Sequence, residues 1–169
     1  MKVPHDYVVI QEEDSFELRK YRDMLLAKVM MDGPFENAHK HGGKILKEYL
    51  DGQNLKREKL LSLAPLMLRA RPEGWEVSCI LPSHLTLDAV PMPVSEKIKF
   101  EEVKPRPVAV VKFHGKSHYT KMMKKTEELK FWAKRTELRF TNTSKIVLLR
   151  SPIFPFLRKN EIHLEGCPP

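Results

Sequence analysis

Near the end of the chain, Glu161 and His163 stand two residues apart in a strand-like segment, 160–164, whose residues 161–164 alternate polar with apolar. In a strand that spacing puts both side chains on one side. A carboxylate beside an imidazole, withdrawn from water, can hold a ligand or exchange a proton; the alternative is a structural Glu161 bonded to Arg158 or to a backbone amide. A second group is His39-Lys40-His41. His39 falls with Phe35 on the apolar side of a helical pattern, one turn before Gly43. A neutral imidazole there could ligate iron, or else hydrogen-bond at the edge of the core. His41 falls on the polar side with Lys44 and Glu48. The run lacks the i,i+4 spacing of two ligands on one face, and no Cys is near, so it is not a zinc motif. Lys40, Arg158 and Lys159 are cations suited to a carboxylate or phosphate, the arginine in bidentate fashion. No nucleophile elbow, phosphate loop or paired-carboxylate signature accompanies them, which points to a binding protein rather than an enzyme; Glu161 and His163 are the one pair on which acid/base chemistry would rest.

These residues need elements to carry them. Asp32-Gly33-Pro34 opens a helix, with Gly33 as N-cap and Pro34 at the first helical position. Phe35, Ala38, His39, Gly42, Ile45, Leu46 and Tyr49 share one face, and Asp51-Gly52 ends it. Gly42-Gly43 costs about 1 kcal/mol per glycine inside a helix, a cost that makes sense where a ligand or another backbone comes close. Strands are expected at 16–19, 25–31, 60–70 (interrupted at Pro65), 75–81, 98–103, 108–113, 146–149 and 160–164. A second helix should run from a Ser117 cap to about Leu138, burying Tyr119, Met122, Met123, Leu129, Trp132 and Ala133.

The order of elements repeats. Phe16–Gly33 reads FELRKYRDMLLAKVMMDG and Phe100–Gly115 reads FEEVKPRPVAVVKFHG. The expectation is an α+β single domain, an antiparallel sheet or distorted β-barrel with two helices, built from two pseudo-symmetric β-β-α-β-β units at about 16–82 and 98–165. A Pro-containing connector, about 83–97, joins them. A seam between repeats is a natural place for a cavity.

The chain has 169 residues and a formal net charge of +8, enough length to bury a core without disulfides or metals. Cys79 and Cys167 read as free thiols, which suits a reducing compartment. The apolar run near the N-terminus is too short for a signal peptide, and no stretch approaches the roughly 20 apolar residues of a membrane span; a cytoplasmic protein is expected. Eight Lys or Arg face three acidic residues between Lys116 and Arg139. They are interrupted by Met, Glu and Trp and carry no nucleic-acid-binding signature, so a solvated helix face is the simpler account.

Several segments together resemble the SOUL haem-binding protein family: Phe16-Glu17-Leu18-Arg19-Lys20-Tyr21, Tyr49-Leu50-Asp51-Gly52-Gln53-Asn54, Ala64-Pro65-Leu66, Pro91-Met92-Pro93, Ser151-Pro152, and Arg158-Lys159-Asn160-Glu161-Ile162. The resemblance implies a distorted barrel with two outer helices, kinship with the GyrI-like small-molecule-binding fold, and haem or another tetrapyrrole as ligand. The ligand would lie in a groove between the first helix and the loop 154–159. Phe35, Gly43, Leu46, Phe154 and Phe156 would give it apolar surface, and Lys40, Arg158 and Lys159 would meet its acidic groups. Lys20 stands where some members carry a histidine proposed as axial haem ligand, and His39, on the apolar face of the first helix, is this chain's candidate for that role. In a GyrI-like protein acting through a protein partner without haem, Glu161 would instead face the pocket.

Overall fold

The computed structural model describes residues 7–61, 65–115, 118–150 and 158–167, the side chains of Arg150 and Arg158 excepted. Its elements are β1 (Tyr7–Glu13), β2 (Phe16–Tyr21), β3 (Met24–Met31), α1 (Phe35–Leu50), β4 (Leu66–Arg71), β5 (Gly74–Ile80), β6 (Lys99–Val103), β7 (Arg106–His114), α2 (Tyr119–Ala133), β8 (Phe140–Arg150) and β9 (Arg158–Gly166). The fold is α+β, with antiparallel strand pairs and two helices. The chain divides into two compact units, one containing residues 23–104 and the other 6–22 with 105–169.

In the first unit the strands run in the order β4-β5-β3-β6, and α1 packs against β3 and β5. Alternation sends Ala27, Val29, Val77 and Cys79 toward the helix; all four are buried. Gly42 makes the close fit possible: a Cβ there would lie 2.7 Å from Val77 Cγ2 and 3.1 Å from Met31 Cγ. The other side of the sheet is charged. Lys28 reaches Glu101 at 2.9 Å and Glu76 at 3.4 Å, and Arg69 reaches Glu76 at 2.8 Å. The strand through Trp75 was expected to be half-buried, but Glu76 and Ser78 are buried as well; the ion pairs supply what Glu76 loses in leaving water.

Two boundaries differ from expectation. The N-cap is Pro34, not Gly33; Gly33 makes the preceding turn with φ +86, and Ala38 N–H closes the first helical turn on Pro34 O at 3.0 Å. Leu60 is not in a strand. Its N–H donates to Leu50 O at 2.7 Å, so it folds back on the end of α1, and β4 starts after Pro65, whose nitrogen has no proton to give a ladder.

In the second unit the order is β1-β2-β7-β9-β8, and α2 packs against β7, β8 and β9. Phe16 stacks on Trp132, with centroids 5.3 Å apart, above a core that includes Leu18, Ala109, Val111, Leu129, Ile162 and Leu164. The α2 face is not the one its apolar residues suggest: Tyr119 and Met123 are 58% and 46% exposed, and Thr126 is buried between Met122 and Leu129. Thr126 fits because its hydroxyl donates to Met122 O at 2.8 Å, so no polar group is left unmet. The helix stops at Ala133, short of Leu138, and a 3-10 turn follows that ends where Glu137 takes φ +63. The Ser117 cap lies outside the described residues. β7 runs through Pro107, which sits opposite Lys20.

The duplicated Phe-Glu strands exchange partners. β2, from the first copy, pairs with β7 of the second, and β6, from the second copy, pairs with β3 of the first. Each exchange carries the same ion pair, Lys112 to Glu17 at 2.6 Å and Lys28 to Glu101 at 2.9 Å. β1, which the sequence did not announce, pairs with β2 and has a bulge between Val9 and Gln11.

Candidate functional site

Two places gather the chemistry-bearing residues, one in each unit. In the second unit, alternation along Phe16-Glu17-Leu18-Arg19-Lys20-Tyr21 puts Glu17, Arg19 and Tyr21 on the face opposite Leu18. Register then decides what they meet. Val110 of β7 lies between Glu17 and His163, and Lys112 lies opposite Glu161. Arg19 donates from Nη1 and Nη2 to the two oxygens of Glu161 at 2.9 and 2.7 Å, from Nε to Glu17 at 2.6 Å, and from Nη1 to the Tyr21 hydroxyl at 3.0 Å. Its guanidinium sits 4.3 Å from the Tyr7 ring centroid, within cation–π range. His163 Nε2 is 2.8 Å from Glu161 Oε1. Arg19, Glu17, Glu161 and His163 are all buried.

The electrostatics follow from this closure. Burial pushes the Glu161 carboxyl up, but hydrogen bonds from His163 and Arg19 outweigh it and hold the group well below the usual carboxylate range. Burial favours neutral His163 and depresses its pKa, against the pull of Glu161. Burial opposes charge on Arg19 too, yet its carboxylates raise its pKa further. Glu161 is thus an ionised carboxylate with both oxygens taken, and His163 a neutral donor to it. The group pins β2 and β9 across β7. Glu161 and His163 do share a side and are bonded to each other, and Arg19 takes both oxygens of Glu161 as well. The signal for Arg19 lay in the alternation of β2.

In the first unit, the C-terminal half of α1 borders a recess of about 270 Å³, walled by Gly43, Leu46 and Leu50, by Leu60 and Leu61 of the following connection, and by Leu66 and Cys79 of the sheet. Gly43 lets α1 come close to Leu66 across the wall: a Cβ there would come 3.3 Å from Leu66 Cδ2, so the end of that side chain would have to give. The connection is held by the Tyr49–Asn54 segment. Gly52 turns the chain with φ +117. Asn54 Nδ2 donates to Tyr49 O at 3.2 Å and Glu58 O at 2.8 Å, and Asn54 Oδ1 accepts from Glu58 N–H at 3.1 Å. The Tyr49 hydroxyl donates to Pro91 O at 2.6 Å. Lys47, Asp51 and Lys59 stand at the rim, with Lys47 paired to Asp51 at 2.8 Å.

Of the residues singled out in the sequence, Gly43 and Leu46 line this recess. Phe35 is buried against Trp75, with ring centroids 5.2 Å apart. His39 is half-buried with its ring 6.1 Å from that of Phe35, and Lys40 is exposed; none of these three is in the wall. Lys159 is exposed on β9 of the other unit. Phe154, Phe156 and the side chain of Arg158 lie outside the described residues. The lining does not fit an iron ligand. Its one soft donor, Cys79, is a thiol that burial pushes up to about 12, so it stays protonated where a thiolate would be needed. Among the described residues no three His, Cys, Asp or Glu side chains gather as a metal site.

Solved structures share this fold at low identity. The EcmrR C-terminal domain is 12% identical, with a TM-score of 0.66 over 96% of this chain and 98% of that one. A hydrolase from Listeria innocua is 10% identical, with a TM-score of 0.61 over 94% of each chain. An uncharacterized conserved protein from Listeria innocua is 12% identical, with a TM-score of 0.61 over 90% and 92%. No curated protein matches the sequence. The family model for the SOUL heme-binding protein matches residues 4–165, so this chain belongs to the SOUL family.

Proposed function

We propose that this protein is a non-enzymatic carrier or sensor of a small, largely apolar ligand bearing acidic groups, held beside α1. A tetrapyrrole such as haem is the ligand class its family suggests. The observation that supports this is the leucine-walled recess at Gly43 and Leu46, with Lys47 and Lys59 at its rim. Apolar walls with a few charges at the edge suit a ligand that is greasy in the body and anionic at one end. Recognition by shape and charge needs no protein ligand to iron. Titrating purified protein with hemin should give a shifted Soret band that saturates at one equivalent and survives His39→Ala. A broad rise that never saturates would overturn the proposal. An enzyme using Glu161 and His163 is disfavoured by the hydrogen bonds that already occupy that carboxylate. The same closure weighs against the second reading, a GyrI-like sensor acting through Glu161, since a ligand there must first displace Arg19.

A further inference from the structure

We propose that the recess beside α1 takes a single-chain amphiphile, its aliphatic tail among Leu46, Leu50, Leu60 and Leu66 and its anionic head at Lys59. This rests on the assignment of the recess as the ligand site. Size favours a chain. The recess holds about 270 Å³, and a water-sized group takes about 30 Å³, so it accommodates roughly nine methylene-sized groups. That is at the lower edge of the range of about 300–1,000 Å³ typical of ligand sites, so a tetrapyrrole would stand partly out of the open recess, whereas a chain fits within it. The wall favours a chain too. Leu46 and Leu60 are buried, while Leu61 is 81% exposed at the edge, a large apolar side chain held in water where it could close over a bound tail. Charge places the head. Both rim lysines are exposed, but Lys47 is held by Asp51 at 2.8 Å, whereas Lys59, on the connection that forms the mouth, acts on Asp51 only through its charge. Two cations against one carboxylate leave the rim positive, and a head beside Lys59 remains hydrated while the tail leaves water.

The test is calorimetric titration of the full chain with decanoate, butanoate and 1-decanol, run beside hemin, on wild type, Lys59→Glu and Gly43→Leu, with circular dichroism to verify each fold. Decanoate should bind saturably at one equivalent, butanoate at least tenfold more weakly, and Lys59→Glu should weaken decanoate about fivefold or more while leaving 1-decanol unchanged. Gly43→Leu, which fills the recess from its wall, should abolish decanoate binding. If hemin saturates and is lost in Gly43→Leu but decanoate does not bind, the amphiphile proposal fails and the ligand site stands. If both ligands are indifferent to Gly43→Leu, or neither binds, both fail. Equal binding of decanoate to wild type and Lys59→Glu overturns the head-group assignment.

Discussion

A guanidinium that serves two carboxylates is hard to remove without leaving charge behind. Arg19→Met would strand Glu17 and Glu161 in the interior, with Lys112 and His163 as partial compensation. Breaking a buried pair from one side costs about 3–5 kcal/mol, and the urea midpoint should fall accordingly. Glu161→Gln should cost less, because Arg19 keeps Glu17. The same group sets the acid response. Glu161 titrates below its unfolded value, so its stabilisation is present above the ordinary carboxylate range and is lost as pH falls through and below it. His163 is depressed as well, so the fold favours its neutral form and loses stability as pH falls below the ordinary histidine value. Both act in one direction: urea midpoints should decline from neutral toward pH 4, and His163→Gln should flatten the first part of that decline. The shared side of Glu161 and His163 is legible from a spacing of two. Arg19 as their partner is not, because it lies 142 residues from Glu161 and meets it only through the register of three strands.

The adjacent glycines of α1 show how a single element divides labour. Gly42 faces Val77, where a methyl group would overlap side-chain carbon at 2.7 and 2.9 Å. Overpacking costs about 1–3 kcal/mol, offset by about 1 kcal/mol of helix propensity. Gly42→Ala should lower stability by up to about 2 kcal/mol and Tm by up to about 8 °C. Gly43→Ala meets only the end of Leu66, which can shift, and should leave Tm nearly unchanged or raised. The sequence shows that this pair is anomalous in a helix but not which glycine serves packing and which serves the recess. Periodicity found α1 and α2 because both have a buried stripe. It misjudged the stripe of α2 because Thr126 satisfies its hydroxyl within the helix, while Tyr119 and Met123 are left in solvent.

At the scale of the molecule, the duplication was visible in two Phe-Glu segments, but the exchange of those strands was not. Strand pairing is decided by which edge is open in three dimensions, and both copies offer the same edge. The exchange predicts where the chain can be cut. A fragment spanning 23–104 contains β3, α1, β4, β5 and β6 and should unfold cooperatively in urea by Trp75 fluorescence. One of similar length that begins at Phe16 and stops before β6 should not, because β3 then keeps β5 but loses β6, and β2 has no β7 to pair with.

The exchange also orders events during synthesis. The first unit is complete once β6 has left the ribosome, whereas the β1–β2 hairpin must wait for β7. At about 5–20 residues per second that wait is roughly 5–20 s. Throughout it the β2 edge that will receive β7 stands open, beside a strand whose Val8 and Ile10 stay largely exposed even in the finished fold. Nascent chains arrested with residue 104 just emerged should therefore protect amides in α1 and β3–β6 from exchange while those of the hairpin still turn over. That interval is when this protein is most exposed to misassembly and most in need of a chaperone.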